Sequence, residues 1–199
     1  MQFDPNNLDS SSLYKLITGS IIPRPIAWIA TIDSNGINNL APFSYFNIVG
    51  EKHIMFSTAK NKDQNKDTLS NILSNGEFVL NMVTEELAEA MNTTAAELPS
   101  DEDEFVYAKV TPIDSELIKP KRVKESKISF ECKMIHTYTM PHPENNGATM
   151  IVGEIVMMHF DNRVLLDNYK INMENYKPVS RLAGSNYSKI GEIFSIKRI

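Results

Sequence analysis

A cationic side chain and a hydroxyl group lie two residues apart in the triplet Lys66-Asp67-Thr68. The apolar spacing over residues 69–73 and the stop signal at Gly76 predict a short helix, which Asp67 or Thr68 can cap. A lysine, a hydroxyl and the free N–H groups of a helix start together suit a phosphate. The alternative is an exposed lysine beside a capped helix, and the residues alone leave both open.

A second candidate lies in the extended segment from Asn39 to Asn47, where Pro42 interrupts an otherwise strand-like pattern. Proline cannot donate to a sheet ladder, so this residue should lie at a sheet edge or in a bulge. Neighbouring backbone groups would then be free to bind a ligand. Because side chains alternate along a strand, only one of two sets can line a given pocket. The two sets are Asn39, Ala41 and Phe43, and Leu40, Pro42 and Ser44.

The other polar residues form no catalytic or metal-binding pattern. The acidic run Asp101–Glu104 consists of four adjacent carboxylates, a pattern that predicts solvated side chains with ordinary pKa values. His159 ends an alternating strand, where a histidine is more often a satisfied core residue than a catalyst, and Cys132 lies mid-strand, which predicts packing. We therefore expect no catalytic side chain and no metal site. The histidines, which show no metal-ligand spacing, are His53, His136, His142 and His159.

Short strands with few helices predict a mainly β fold, an antiparallel barrel with a few short peripheral helices. Asn35-Gly36 suits a tight hairpin turn with positive φ angles. Thr84 can cap a helix over Glu85–Met91, with two acids in its first turn. The predicted strands are 26–32, 39–47, 53–58, 78–83, 127–139 and 149–160, the last two joined by a loop at 141–147 into the longest hairpin.

Length and composition restrict the classes of function. A chain of 199 residues with 42% hydrophobic residues predicts one domain, residues 1–199. The net charge of −5 argues against nucleic acid binding. No apolar run approaches the roughly 18 residues of a membrane span, so we expect no membrane insertion. A single cysteine and an amino terminus without signal-peptide features predict a cytoplasmic protein.

Four segments in this order resemble the flavin reductase-like, FMN-binding split-barrel family, which includes the flavoredoxins. They are GSIIPRPIAWIAT (19–31), NLAPFSYFN (39–47), KDTLSNI (66–72) and RLAGSNY (181–187). The resemblance implies a split β-barrel that holds FMN non-covalently at the interface of a homodimer. The combination of segments is specific, although each alone is weak.

The resemblance also implies which residues contact the cofactor. The FMN phosphate would be bound by Arg24, Ser57, Lys66 and Thr68, with Asp67 in the same motif. The isoalloxazine ring would lie along Thr31 and the main chain of Asn39, Leu40, Ala41, Pro42 and Ser44. Arg181 and Tyr187 match a carboxy-terminal motif near the cofactor, which can reach the partner subunit's site.

The implied activity is that of an NAD(P)H:flavin oxidoreductase. NAD(P)H would pass a hydride to bound FMN, which hands electrons to free flavin or a redox partner protein. Because the cofactor carries this chemistry, no side-chain acid or base is obligatory. One alternative is an FMN-binding electron-transfer protein without its own nicotinamide site. Another is oxidation of a small amine, as in the related pyridoxamine phosphate oxidase barrels.

Overall fold

The core of the molecule is a seven-stranded antiparallel sheet. The computed structural model describes residues 1–59, 65–141 and 147–197. His142 and most of the polar loops expected at 59–65 and 141–147 lie outside these residues. The sheet strands are β1 (Ala27–Ile32), β2 (Asn38–Phe43), β3 (Phe46–Ile48), β4 (His53–Ala59), β5 (Glu77–Met82), β8 (Ile128–Thr139) and β9 (Ala148–Phe160).

The remaining elements are short and lie around this sheet. Three two-stranded pairs are β6 (Pro112–Ile113) with β7 (Arg122–Val123), β10 (Leu165–Leu166) with β11 (Lys170–Ile171), and β12 (Val179–Arg181) with β13 (Tyr187–Lys189). The α-helices are α1 (Ser10–Ser20), α2 (Asp67–Asn75), α3 (Ala88–Thr93), α4 (Glu104–Tyr107) and α5 (Met173–Tyr176). Single 3-10 turns span Pro5–Asn7, Glu85–Leu87, Asn162–Val164 and Asp167–Tyr169. The mainly β prediction with short peripheral helices is confirmed.

The sheet is curled, as the short connection between its two edge strands shows. Its order is β2-β1-β5-β8-β9-β4-β3, so β2 and β3 lie at opposite edges. Only Ser44 and Tyr45 separate them along the chain, and the N–H of Ser57 donates to the carbonyl of Tyr45 at 2.9 Å. Two residues can join the edges only if the sheet bends towards closure. The single strand predicted over 39–47 is therefore wrong, since the chain changes sheet edges there.

Pro42 lies in the edge strand β2, opposite Trp28 of β1. The β1–β2 register runs without a shift, so the edge position is confirmed and a bulge is absent from this pair. The N–H of Leu40 donates outwards, to Glu104 at 3.2 Å. Because backbone groups alternate along an antiparallel strand, the Pro42 nitrogen also faces outwards and costs no ladder bond.

The first hairpin turns through Asp33–Gly36, and Asp33 organises it. One carboxylate oxygen of Asp33 accepts from the N–H groups of Asn35 and Ile37, at 2.8 and 2.7 Å. Gly36 has φ of +86°, whereas Asn35 has no positive φ. The prediction of positive φ angles at both residues is therefore right for Gly36 and wrong for Asn35. The hairpin itself, β1 with β2, is confirmed.

The two larger of three apolar clusters in the part of the chain that the structure describes lie on opposite faces of the sheet. Trp28 and Phe105 lie in one, and Phe56, Phe78 and Ile29 lie in the other, all fully buried. Cys132 is buried in the second core, as its strand position predicted. No helix of the described residues is long and apolar enough to cross a membrane.

Two predicted helix starts differ in detail. Lys66, rather than Asp67 or Thr68, is the N-cap of α2, and it makes no side-chain capping bond, while Gly76 ends the helix with φ of +73° as predicted. The helix predicted over 85–91 is a 3-10 turn followed by α3. The Thr84 hydroxyl makes no capping bond there. Both predictions of a side-chain cap are therefore wrong.

Candidate functional site

A cavity of about 470 Å³ opens between α1, the end of β2 and the β12–β13 hairpin. Arg24, Lys66 and Arg181 line it, together with the hydroxyls of Ser44 and Ser57. Among the described residues, no aspartate or glutamate lines this cavity. In a chain of net charge −5, three cations without an acid make a local site for an anion. We call it the cationic cavity.

Arg24 is buried, and its guanidinium is extensively hydrogen-bonded to the protein. Its Nη1 donates to the carbonyls of Thr18 and Ile21 at 2.6 and 2.7 Å, and its Nη2 donates to the carbonyl of Leu182 at 2.9 Å. A longer bond of 3.4 Å joins its Nε to the Ser44 hydroxyl. Arg24 therefore ties the end of α1 to the carboxy-terminal hairpin while its charge remains in the cavity wall.

The carboxy-terminal motif forms the opposite wall. Backbone hydrogen bonds of 2.8 and 3.0 Å join Arg181 to Arg24. The Arg181 guanidinium lies 4.6 Å from the centre of the Tyr187 ring, and the Tyr187 hydroxyl donates to Asn92 at 3.0 Å. A cation over an aromatic face is stabilised by the ring quadrupole. Arg181 and Tyr187 thus reach the cationic cavity of their own chain.

A second cavity of about 270 Å³ adjoins the first and shares Pro42, Phe43, Lys66 and Ala95 with it. Its wall has the opposite charge balance, since Asp67, Glu97 and Glu104 line it together with Lys66. We call it the acidic cavity. Asn39, Ala41 and Thr68 also line it.

The structure divides the predicted cofactor residues into four groups. Arg24, Ser44, Ser57, Arg181 and Tyr187 line the cationic cavity, Asn39, Ala41, Asp67 and Thr68 line the acidic cavity, and Pro42 and Lys66 line both. Thr31 and Leu40 line neither cavity and are fully buried.

Thr68 points into the protein. Its hydroxyl donates to Asn39 Oδ1 at 2.7 Å, and only 1% of the residue is exposed. The Thr31 hydroxyl donates to the same oxygen at 3.1 Å and accepts from Asn71 Nδ2 at 3.1 Å. A phosphate contact through the Thr68 hydroxyl stays a prediction, although this hydroxyl already has a protein partner.

The prediction of solvated carboxylates over Asp101–Glu104 is wrong for Glu104, which is buried. Its two oxygens accept from Asn39 Nδ2 at 3.0 Å and from the N–H of Leu40 at 3.2 Å. Burial raises the pKa of this carboxyl, and these hydrogen bonds oppose the rise only in part. Sequence reasoning missed Glu104 because its partners come from β2, about 65 residues earlier.

A second buried acid, Glu131, also escaped sequence reasoning. It accepts from the N–H groups of Glu116 and Leu117 at 2.7 and 2.8 Å, and it lies 2.7 Å from His159 Nε2. His159 therefore has a partner, as predicted for a structural histidine. No group of three metal-binding side chains occurs within residues 1–59, 65–141 and 147–197.

The chain and its fold are similar to known proteins. A family model described as Flavin reductase like domain matches residues 18–177. An uncharacterized protein of Aquifex aeolicus is 41% identical over 192 residues, 95% of each chain. The structure of nitrilotriacetate monooxygenase component B from Bacillus cereus is 38% identical, with a TM-score of 0.95 over 98% of both chains.

A more distant likeness concerns the fold alone. A putative flavin reductase with split barrel domain from Shewanella frigidimarina is 22% identical, with a TM-score of 0.83 over 100% of both chains. The curled antiparallel sheet is therefore the split barrel expected from the sequence.

Proposed function

The chain belongs to the flavin reductase-like family, and on that premise we propose that it is an FMN-dependent oxidoreductase that accepts hydride from NAD(P)H. The observation that carries this proposal is the cationic cavity, whose described lining residues include three cations and the hydroxyls of Ser44 and Ser57 but no acid. Its volume is within the range of small-molecule sites. The donor set suits an anionic cofactor such as FMN.

FMN would supply the hydride-accepting and electron-donating chemistry of the reaction. Lys66 and Ser57 line the cationic cavity and can donate hydrogen bonds to its phosphate. Arg24 contributes its charge and keeps the end of α1 against Leu182. The outer edge of β2 presents main-chain groups, of which the N–H of Leu40 is already bound to Glu104.

The electron acceptor is a second part of the proposal. The Bacillus cereus protein is named as component B of a monooxygenase, and for the present chain this favours a redox partner protein, or free flavin, as the electron acceptor. The alternative of an FMN-binding electron-transfer protein without a nicotinamide site differs only in the source of electrons. The amine-oxidising alternative has no supporting observation among the described residues of this site.

Two measurements test these proposals. An absorbance spectrum of the purified protein, with chromatographic identification of the released chromophore, should show FMN. Stopped-flow mixing with NADH or NADPH should then bleach the bound flavin rapidly. Bleaching only by dithionite or by a reduced redox protein would favour the electron-transfer alternative. A protein that binds no flavin, even when titrated with FMN, would refute the proposed function.

A further inference from the structure

A buried hydrogen-bond network connects α4, the edge strand β2 and the start of α2. Glu104 accepts from Asn39 Nδ2 at 3.0 Å, and Asn39 Oδ1 in turn accepts from the Thr68 hydroxyl at 2.7 Å. Glu104 and Asn39 are each 8% exposed, and Thr68 is 1% exposed. The network is therefore largely buried and forms part of the wall of the acidic cavity.

Both oxygens of Glu104 accept hydrogen bonds from N–H groups, and this determines how the Asn39 amide is oriented. A carboxylate can only accept hydrogen bonds, so the amide NH₂ of Asn39 must face Glu104. The amide oxygen then faces the opposite way, where Thr68 donates to it. The second oxygen of Glu104 is occupied by the N–H of Leu40, which fixes the carboxylate against β2. In this hydrogen-bond network, one arrangement of the side chains gives every donor an acceptor.

The far end of the network is the first turn of α2. Thr68 is the second residue of this helix, and Lys66 is its N-cap. Lys66 lines both cavities, whereas Glu104 lines only the acidic one. The side chain of Lys66 makes no capping bond. The position of the Lys66 backbone therefore depends on the contacts that hold the first turn of α2.

The geometry points to Glu104 as a positioning residue for phosphate binding, acting through Asn39 and Thr68 on the first turn of α2 and so on Lys66. This inference deepens the proposed function and rests on it.

The substitution Glu104→Gln removes both a negative charge and a part of the hydrogen-bond network, and these two changes have opposite effects on anion affinity. Removing a negative charge near an anion site strengthens anion binding by Coulomb attraction alone. Loss of the network weakens anion binding. A glutamine has one acceptor oxygen, so its NH₂ group must face either the Asn39 amide or the N–H of Leu40, and that donor then loses its acceptor. The direction of the change in FMN affinity therefore separates the two effects.

The test is a comparison of FMN and riboflavin affinities in the full-length apoprotein, measured by fluorescence quenching. We expect Glu104→Gln to weaken FMN binding by roughly fivefold to twentyfold, with little change for riboflavin, which lacks the phosphate.

The matched control is Asp103→Asn, which removes the same charge one residue away. Asp103 caps α4 by accepting from the N–H of Phe105, and its other oxygen accepts from the Asn38 amide. An asparagine oxygen can keep the cap, and its NH₂ group can donate to the Asn38 oxygen once that amide is flipped. We expect this variant to keep the preference of the wild type for FMN over riboflavin.

A double variant supplies the rescue. When Asn39→Asp is added to Glu104→Gln, the introduced carboxylate on β2 can accept from Thr68 and from the introduced glutamine NH₂ group. The glutamine oxygen can then accept from the N–H of Leu40. The net charge is that of the wild type, and every hydrogen bond of the network is restored. We expect this variant to recover most of the preference for FMN over riboflavin.

The outcomes distinguish the inference from the proposed function. If the wild type binds FMN no more tightly than riboflavin, the proposed phosphate site itself is wrong. If the wild type prefers FMN and Glu104→Gln keeps or increases that preference, Glu104 is not a positioning residue. Equal weakening of FMN and riboflavin in Glu104→Gln would also overturn the inference, because it shows general damage to the barrel.

Discussion

Lys66 lines both cavities at the start of α2, which makes it the residue whose loss should best reveal a phosphate site. A hydrogen bond to a charged group contributes about 1.5–3 kcal/mol. Lys66→Met should therefore weaken FMN binding roughly tenfold to a hundredfold. Riboflavin affinity should change little, because riboflavin has no phosphate. Titration of wild type and variant with both flavins gives the comparison.

Lys133→Met is the matched control for this substitution, since Lys133 is exposed on β8 and lines neither cavity. Lys133→Met makes the same change of charge and side-chain shape outside the two cavities. If Lys66→Met binds FMN as tightly as the wild type and Lys133→Met, the phosphate lies elsewhere. Thr68→Val should cost less FMN affinity than Lys66→Met, because it removes the hydrogen bond to Asn39 that holds the first turn of α2 but leaves the lysine itself in place.

Cys132 is predicted to be structural. Burial, together with the nearby charge of Glu131, raises the pKa of its thiol, so the reactive thiolate is absent at neutral pH. A thiol reagent should label the protein only in denaturant. Cys132→Ser should keep the stopped-flow rate of flavin reduction. Loss of that rate in a folded variant with full FMN content would show that the thiol takes part.

At the scale of elements, Glu131 attaches the loop before β7 to strand β8. Burial raises the pKa of this carboxyl, but the N–H groups of Glu116 and Leu117 and the ring of His159 outweigh burial and hold the pKa below its ordinary value. Glu131→Gln should lower the free energy of unfolding at neutral pH by about 1–3 kcal/mol, because it leaves a buried donor unpaired. Urea unfolding measures the difference.

The pH dependence of this effect follows from the direction of the Glu131 shift. A carboxyl whose pKa is lower in the folded state stabilises the protein above its unfolded pKa, which is about 4.3 for glutamate. That stability is lost as the pH falls through the folded value. The difference in the free energy of unfolding between wild type and Glu131→Gln should therefore become smaller in acid. Glu116→Gln, an exposed neighbour, is the control, and a difference of constant size would contradict the assignment.

At the scale of the whole molecule, we predict a homodimer. Apolar side chains of α1 and its C-cap are exposed beside the cationic cavity, with Tyr14, Ile17 and Ile21 at 62, 48 and 63% exposure. Apolar surface of this kind favours association, and closed pairs dominate among homo-oligomers. Light scattering of FMN-saturated protein should give twice the chain mass of 22.5 kDa. A monomeric mass under those conditions would contradict the prediction.

Local patterns were enough to predict much of the fold. Several elements depend only on residues that are close in sequence. They are the branched and aromatic strand at 27–32, the turn at Gly36 and the helix end at Gly76. The long hairpin of β8 and β9 was predicted for the same reason. The missing N–H of Pro42 predicted a sheet edge or a bulge, and the unshifted β1–β2 register selects the edge. The cofactor residues came from the order of four family-like segments and not from any single motif.

Tertiary structure alone decided how these pieces meet. The break at Ser44-Tyr45 arises because the sheet curls until its edges approach, which no local pattern encodes. Glu104 belongs to an acidic run that resembles a solvated one, and only its contact with Asn39, about 65 residues away, makes it buried and bound. The same packing turned Thr68 inwards and left Lys66 on the cavity wall. Sequence determined which groups were present, and long-range burial determined which of them remained available to a ligand.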